Sequence, residues 1–268
     1  MYLIRKSSLF FETAALTDPG RIRENNEDSL CNLDQRELDA PAAASYGIYL
    51  VADGMGGHRG GEVASAIAAR IIPDFLCHNL KNISSAQSAF YFIERAIDEA
   101  NKAIVALASG KPELHAMGTT VTLGFRLEDE LYLGHVGDSR AYLVRNGRIQ
   151  QLTRDHSLVA HLVREGAITA EEARFHPARG KILRCLGITG DVMADTYSLE
   201  LLSGDTLVFC SDGLTIHVSD QEILHHTQQT HDAHEACSRL VALSNSRGGE
   251  DNTSIILVRA KPDHFRLQ

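Results

Sequence analysis

Four strand-like apolar runs in this chain each meet an aspartate close to glycine. Tyr46-Gly-Ile-Tyr-Leu-Val-Ala leads to Asp53-Gly54, and Glu130-Leu-Tyr-Leu-Gly-His-Val leads to Gly137-Asp138. Asp205-Thr-Leu-Val-Phe-Cys-Ser leads to Asp212-Gly213, and Gly248-Gly-Glu-Asp251-Asn opens onto Thr253-Ser-Ile-Ile-Leu-Val. A carboxylate at a strand end is held by rigid backbone yet faces solvent, and glycine beside it lets a ligand approach closely. Carboxylates gathered on one rim repel unless a hard divalent cation stands between them. One Asp-Gly pair alone is most simply a β-turn. Their recurrence points to a cation site.

The 268 residues, 44% of them hydrophobic, suffice for one large core in one or two domains. The formal net charge of −9 comes with no block of Lys and Arg, which argues against nucleic-acid binding. Cys31, Cys77, Cys185, Cys210 and Cys237 are scattered and odd in number, with neither a zinc nor a paired redox spacing. Cys210, inside an apolar run, reads as a small buried hydrophobe, and the set as reduced thiols. The start, Met1 to Phe11, lacks the layout of a signal peptide. No run approaches the roughly 18 apolar residues of a membrane span. The expectation is a cytoplasmic protein with no membrane insertion.

Strand signals fill about 9–51, 119–152 and 195–210, with a last run at 253–259. Asn146-Gly147 between alternating runs predicts a hairpin, and Leu127 to Glu130 a second one. Val63, Ile67 and Ile71 mark one face of a helix that Pro73 is expected to kink or end. Phe90, Ile93, Ile97, Ala100, Ile104 and Leu107 form the stripe of a long helix capped by Ser84 or Ser85. Ala233, Ala236, Leu240 and Leu243 mark a third, and Ser219 with Glu222 caps a short one. Between about 156 and 186 lies an insertion of two short helices, one on Leu158, Val159, Leu162 and Val163, the next capped by Thr169 and Glu172. The pattern predicts two packed antiparallel sheets with helices outside.

Oxygen ligands suit Mg²⁺ or Mn²⁺ better than zinc. Two such ions roughly 3.5–4 Å apart can clamp a phosphoryl group and hold a hydroxide for in-line attack. Of the candidates, Asp53 is the best placed to bridge both ions, with the Gly54 carbonyl beside it and Asp212 and Asp251 completing one shell.

Seven motifs in order then resemble one family. They are Arg23 with Asn26-Glu27-Asp28, Val51-Ala-Asp-Gly-Met-Gly-Gly-His58, Met117-Gly-Thr-Thr120, Gly137-Asp-Ser-Arg140, Leu152-Thr-Arg-Asp-His-Ser157, Ser211-Asp-Gly-Leu-Thr215 and Gly249-Glu-Asp-Asn-Thr253. Together, across about 12–259, they resemble the bacterial branch of the metal-dependent protein phosphatases, PPM or type 2C. The resemblance implies a single α+β catalytic domain over 1–268 with four αββα layers. Two antiparallel sheets form a sandwich flanked by helix pairs, and residues about 156–186 form a flap subdomain. It also implies a centre of two Mn²⁺ or Mg²⁺ ions, with Asp53 bridging and Gly54, Asp212 and Asp251 as further ligands. Glu27 and Asp28 match an acidic pair holding metal-bound waters, and Arg23 the arginine that grips substrate phosphate. The implied reaction is hydrolysis of phosphoserine and phosphothreonine in phosphorylated proteins by a metal-bridging hydroxide.

Two positions depart from that pattern. Asp138 matches a ligand of a third ion, but its usual aspartate partner is here Ile216. Third-metal binding is therefore expected to be weak or absent, unless His217 or water substitutes. Met55 stands where eukaryotic relatives carry a proposed general acid, and His58 reads as part of the glycine loop. The remaining histidines, His225, His226, His231 and His234 among them, read mostly as surface residues. The rival classes are a binding module that keeps this fold without turnover and a calcium-stabilised structural protein. Calcium loops cluster their ligands within about 12 residues, unlike these.

Overall fold

The computed structural model describes residues 9–35, 45–56, 60–111, 114 and 116–263. His58 and the first eight residues lie outside these.

Alternation along the strands decides the layering. In β3 (Tyr46–Met55), Ile48, Leu50 and Ala52 face one core while Tyr49 and Val51 face another. A strand buried on both faces must lie inside a layered stack. β3 sits in a sheet ordered β2 (Asp28–Gln35), β3, β5 (Val121–Leu127), β6 (Glu130–Val136), β9 (Asp195–Glu200), with short β4 (Gly118–Thr119) on β3. The other sheet runs β1 (Leu9–Asp18), β11 (Thr253–Pro262), β10 (Thr206–Cys210), β7 (Arg140–Arg145), β8 (Arg148–Gln151). Every strand pairing is antiparallel. The sheets meet through Tyr49, Val51, Leu133, Leu143, Phe209, Ile256 and Val258.

Helices cover the outer faces. Against β3, β5 and β6 lie α1 (Gly60–Asn79) and α2 (Ala86–Ser109), through Ile72, Ile93 and Ile97. Against β10 and β11 packs α7 (Ala233–Ser246), through Leu240 onto Val208, Ile255 and Leu257. It is joined there by α5 (Asp212–Thr215) and α6 (Asp220–Gln229). Between β8 and β9 stand α3 (Leu158–Arg164) and α4 (Ala170–Phe175), neither with a buried residue. No helix among the described residues is long and apolar enough to cross a membrane.

The local signals form as expected. Asn146 and Gly147 take φ of 52° and 74°, the left-handed pair of a tight hairpin turn. Ser85 caps α2 through Ser88, and the Thr169–Glu172 and Ser219–Glu222 capping boxes are both present. α1 departs from expectation twice. It runs through Pro73, which is buried in the core and sits six residues before the helix end. Its buried face is Ala64, Ser65, Ala68, Ile72 and Leu76, beside the stripe of Val63, Ile67 and Ile71, which is half-buried. The start of α1 lies so close to β3 that a Cβ on Gly61 would meet the Gly54 carbonyl carbon at 2.7 Å. Only glycine fits that contact.

One end of the sandwich collects the acidic positions. β2 begins at Asp28, β3 reaches Asp53 near its end, Asp138 follows β6, Asp212 follows β10, and Asp251 precedes β11. All five stand at the same end of antiparallel partners.

Candidate active site

Asp28 and Asp53 occupy directly opposed positions on β2 and β3. Like charges placed so are destabilising in a sheet, so the pairing itself marks this end as more than structural. The Asp53 backbone is clamped on both sides. Its N–H donates to Thr120 Oγ1 at 3.0 Å, and its carbonyl accepts from the Thr120 N–H at 2.8 Å and Thr119 Oγ1 at 2.9 Å. Ser211 Oγ donates to Asp28 Oδ2 at 2.8 Å. Asn252 joins two loops, accepting from the Glu27 N–H at 2.8 Å and donating to the Pro19 and Asn25 carbonyls at 3.0 Å each. Arg23 Nη2 reaches Asp251 Oδ2 at 2.7 Å.

The carboxylates perturb one another through space. Crowding by protein atoms, with Asp28, Asp212, Asp138 and Asp251 nearby, raises the Asp53 carboxyl well above its ordinary value. Burial, added to by Asp212 and Asp251, pushes Asp28 up to about 7. Burial and Asp212 push Asp138 up to about 8. Burial and Asp251 push Asp212 up to about 6, against a hydrogen bond with Asp53 that holds it down. Burial also raises Glu27, which Arg23 partly offsets. By surface area Asp28 and Asp138 are buried, while Asp53, Asp212 and Asp251 are half-buried, their charge hemmed in by neighbouring atoms.

These residues fit a hard cation. Asp28 Oδ1 and Asp138 Oδ1 are buried and have no hydrogen-bond partner among the described residues. Such orphaned anionic oxygens are costly unless something positive meets them. The donors are all oxygens, the chemistry of Mg²⁺ or Mn²⁺. The side chains do not form a finished cage: no group of three or more His, Cys, Asp or Glu among the described residues is set for ligation. Asp212 leans on Asp53, and Asp251 on Arg23.

A cavity of about 1120 Å³ opens above this cluster, lined by Arg23, Asp138, Asp212, Ile216 and Asp251 on one side and by α3 and α4 on the other. His217 does not share that lining; its ring accepts from the Glu250 N–H at 3.4 Å. Gly54 sits beneath, where a Cβ would strike the Gly61 carbonyl oxygen at 2.2 Å and the Glu27 carbonyl oxygen at 2.5 Å. All eight site residues expected from the sequence thus gather at one end.

Sequence reasoning passed over the scaffold behind them. His135 and His156 are buried and stacked, ring centroids 4.9 Å apart. The Gly137 N–H donates to His156 Nδ1 at 3.1 Å, shaping the turn that carries Asp138. Arg140 grips Asp155 through Nε and Nη2 at 2.7–3.1 Å. His156 lies inside the Leu152–Ser157 motif, and His135 in the apolar run of β6, on the same face as Leu131 and Leu133.

Residues 25–245 match the family model described as protein phosphatase 2C. A serine/threonine phosphatase of Listeria innocua, Stp, is 38% identical over 90% of this chain and 93% of its own length. The structure of the S. agalactiae serine/threonine phosphatase superposes with a TM-score of 0.85 at 33% identity, covering 93% of this chain and 99% of that one. The catalytic domain of the phosphatase PstP, solved with two manganese ions, gives 0.79 at 35% identity over 94% of this chain and 99% of that one.

Proposed function

This chain belongs to the protein phosphatase 2C family, and on that premise we propose that its acidic rim is a two-metal centre hydrolysing phosphoserine and phosphothreonine monoesters in proteins. The observation that carries the reading is the convergence of Asp28, Asp53, Asp138, Asp212 and Asp251 at one sandwich end, two of them with orphaned buried oxygens. Asp53, the Gly54 carbonyl, Asp212 and Asp251 are the groups that would hold the ions. Glu27 and Asp28 act through water. Two Mn²⁺ or Mg²⁺ ions held there would supply Lewis acidity to the phosphoryl group and a nucleophile at neutral pH.

The chain's own side chains do the positioning. Arg23 is more than half exposed and tethered by Asp251, so its planar fork is aimed at the cavity mouth and can bind two phosphoryl oxygens. Thr119 and Thr120 fix the backbone from which Asp53 projects. Asp138 and Ile216 line the same side of the cavity, and an isoleucine there leaves any third ion one carboxylate short. Residues 156–186 act as a flap over the cavity and govern access of the protein substrate. The segment belongs with the sandwich to a single catalytic domain.

The test is release of phosphate from p-nitrophenyl phosphate and from a phosphothreonine peptide. Turnover should require Mn²⁺ or Mg²⁺ and vanish with chelator. Metal-independent turnover would overturn the two-metal reading, and a silent protein would favour a binding module.

A further inference from the structure

Among the described residues, six arginines line the cavity above the acidic cluster, and they fall into two groups. Arg23, Arg140 and Arg179 are each matched by a carboxylate, Asp251, Asp155 and Glu250 respectively. Arg154, Arg164 and Arg174 line the same cavity, are exposed, and have no carboxylate partner among the described residues. Arg164 donates only to the Asp155 carbonyl, at 3.2 Å. The three come from separate elements: the link after β8, the last turn of α3 and the last turn of α4. An arginine at a helix C-terminus is favourable for the helix alone, which would account for Arg164 and Arg174 taken singly. It accounts neither for Arg154 nor for all three facing one cavity in a chain of net charge −9.

We propose that Arg154, Arg164 and Arg174 form an anion subsite that selects substrates whose phosphorylated residue is flanked by acidic side chains. The inference rests on the phosphatase reading and names the substrate class for that same site. Charge complementarity carries it. The deep wall of the cavity is acidic and suits a cation and a phosphoryl group. The wall on α3 and α4 is basic and suits the peptide that brings that group. A guanidinium pairs a carboxylate through two parallel N–H donors, so three of them hold an acidic segment without being displaced from a prior partner. Exposed ion pairs are individually modest and screened by salt. The expected preference is therefore moderate, and it weakens as salt is added.

The experiment uses the Mn²⁺-loaded protein and two phosphothreonine peptides that differ only in Glu or Gln at the flanking positions. The wild type should favour the Glu peptide about fivefold to tenfold in kcat/KM, chiefly through KM. In R154Q/R164Q/R174Q the ratio should fall to about one, while Lys at all three positions keeps much of it. Turnover of p-nitrophenyl phosphate should be unchanged throughout. A wild-type ratio of one, or an undiminished ratio in the Gln variant, overturns the subsite. Should the triple variant not fold, R154Q and R174Q singly should each lower the ratio about twofold. A preference for a second phosphate with none for Glu overturns the acidic-peptide assignment in favour of multiply phosphorylated substrates. If neither p-nitrophenyl phosphate nor peptide is turned over, the phosphatase reading fails on its own. Fluorescence anisotropy of the two labelled peptides then decides the subsite: tighter Glu-peptide binding that the Gln variant loses supports it, and equal binding overturns it.

Discussion

The two ends of the β2–β3 pair hold opposite solutions to the same problem. At one end Asp28 stands opposite Asp53; six residues along, Asp34 stands opposite Gly47, roughly 20 Å away by strand rise. Near Asp34 lies Arg126, fully buried, with all three guanidinium nitrogens satisfied. Nη2 reaches Asp34 at 3.1 Å, Nε the Tyr49 hydroxyl at 3.3 Å, and Nη1 the Glu128 carbonyl at 2.8 Å and Ser45 Oγ at 3.0 Å. Its plane lies 4.1 Å from the Phe11 ring centroid, and Tyr49 also hydrogen-bonds Asp34. That network is closed. The acidic end has five aspartates and Glu27, one Arg23–Asp251 ion pair, and two carboxylate oxygens with no partner among the described residues. A buried polar group with all its partners is scaffold. One held short of them by rigid strands is poised for something from outside.

Substitutions at the two ends should therefore separate activity from stability. The largest effect is expected from Asp212→Asn, which should cut phosphatase activity on the order of a thousandfold. It should leave the thermal midpoint of the chelated protein unchanged or higher, because a crowded charge is removed. A matching loss of stability would break the contrast. At the other end, Arg126→Met should cost about 3 kcal/mol in denaturant unfolding, since Asp34 and Tyr49 lose their buried counter-charge. Turnover of p-nitrophenyl phosphate by the folded fraction should be unaffected.

The smaller effect is on pH dependence. Asp28 and Asp138 are raised to about 7 and about 8 by burial and by neighbouring carboxylates. A carboxyl whose folded pKa lies above its unfolded value binds more protons when folded. Its stabilising contribution is present at low pH and lost as pH rises through the folded value. Chelated protein should therefore lose stability from about pH 4 up to about pH 8, where the loss levels off, by up to about 1.4 kcal/mol per pH unit for each group titrating. Asp138→Asn should flatten the upper part of that slope. His135, lowered to about 4 by burial, contributes in the opposite sense. Its share is full above about 6.5 and is lost only as pH falls towards 4, so it offsets the lower part of that loss and leaves the stretch above about 6.5 undisturbed. A flat profile from pH 6 to pH 8 would contradict the crowding.

The acidic end was legible because strand ends and glycines are local signals, and because Asp53, Asp138, Asp212 and Asp251 each sit at the close or opening of a recognisable apolar run. The hairpin at Asn146-Gly147 and the capping boxes are local in the same way. The Arg126 network was not legible. Arg126 and Asp34 are 92 residues apart, and only the β2–β3 and β3–β5 registers together, both meeting at Gly47, bring them near. The buried face of α1 escaped notice for a related reason. Large residues attract attention, yet the face against β3 has to be small where Gly54 and Gly61 meet. Pro73 lies within α1 without ending it, and is buried there with Ile72 and Leu76. His135 lies in the β6 run and His156 in the Leu152–Ser157 motif, but their stacking belongs to tertiary packing.

The most direct measurement is calorimetric titration of Mn²⁺ into chelator-treated protein, wild type beside Asp53→Asn and Asp212→Asn. Two ions should bind the wild type, and both substitutions should abolish or sharply weaken that binding in protein that remains folded by circular dichroism. Unchanged stoichiometry and affinity in both variants would show that the strand-end aspartates do not hold the metal, and the account would fail.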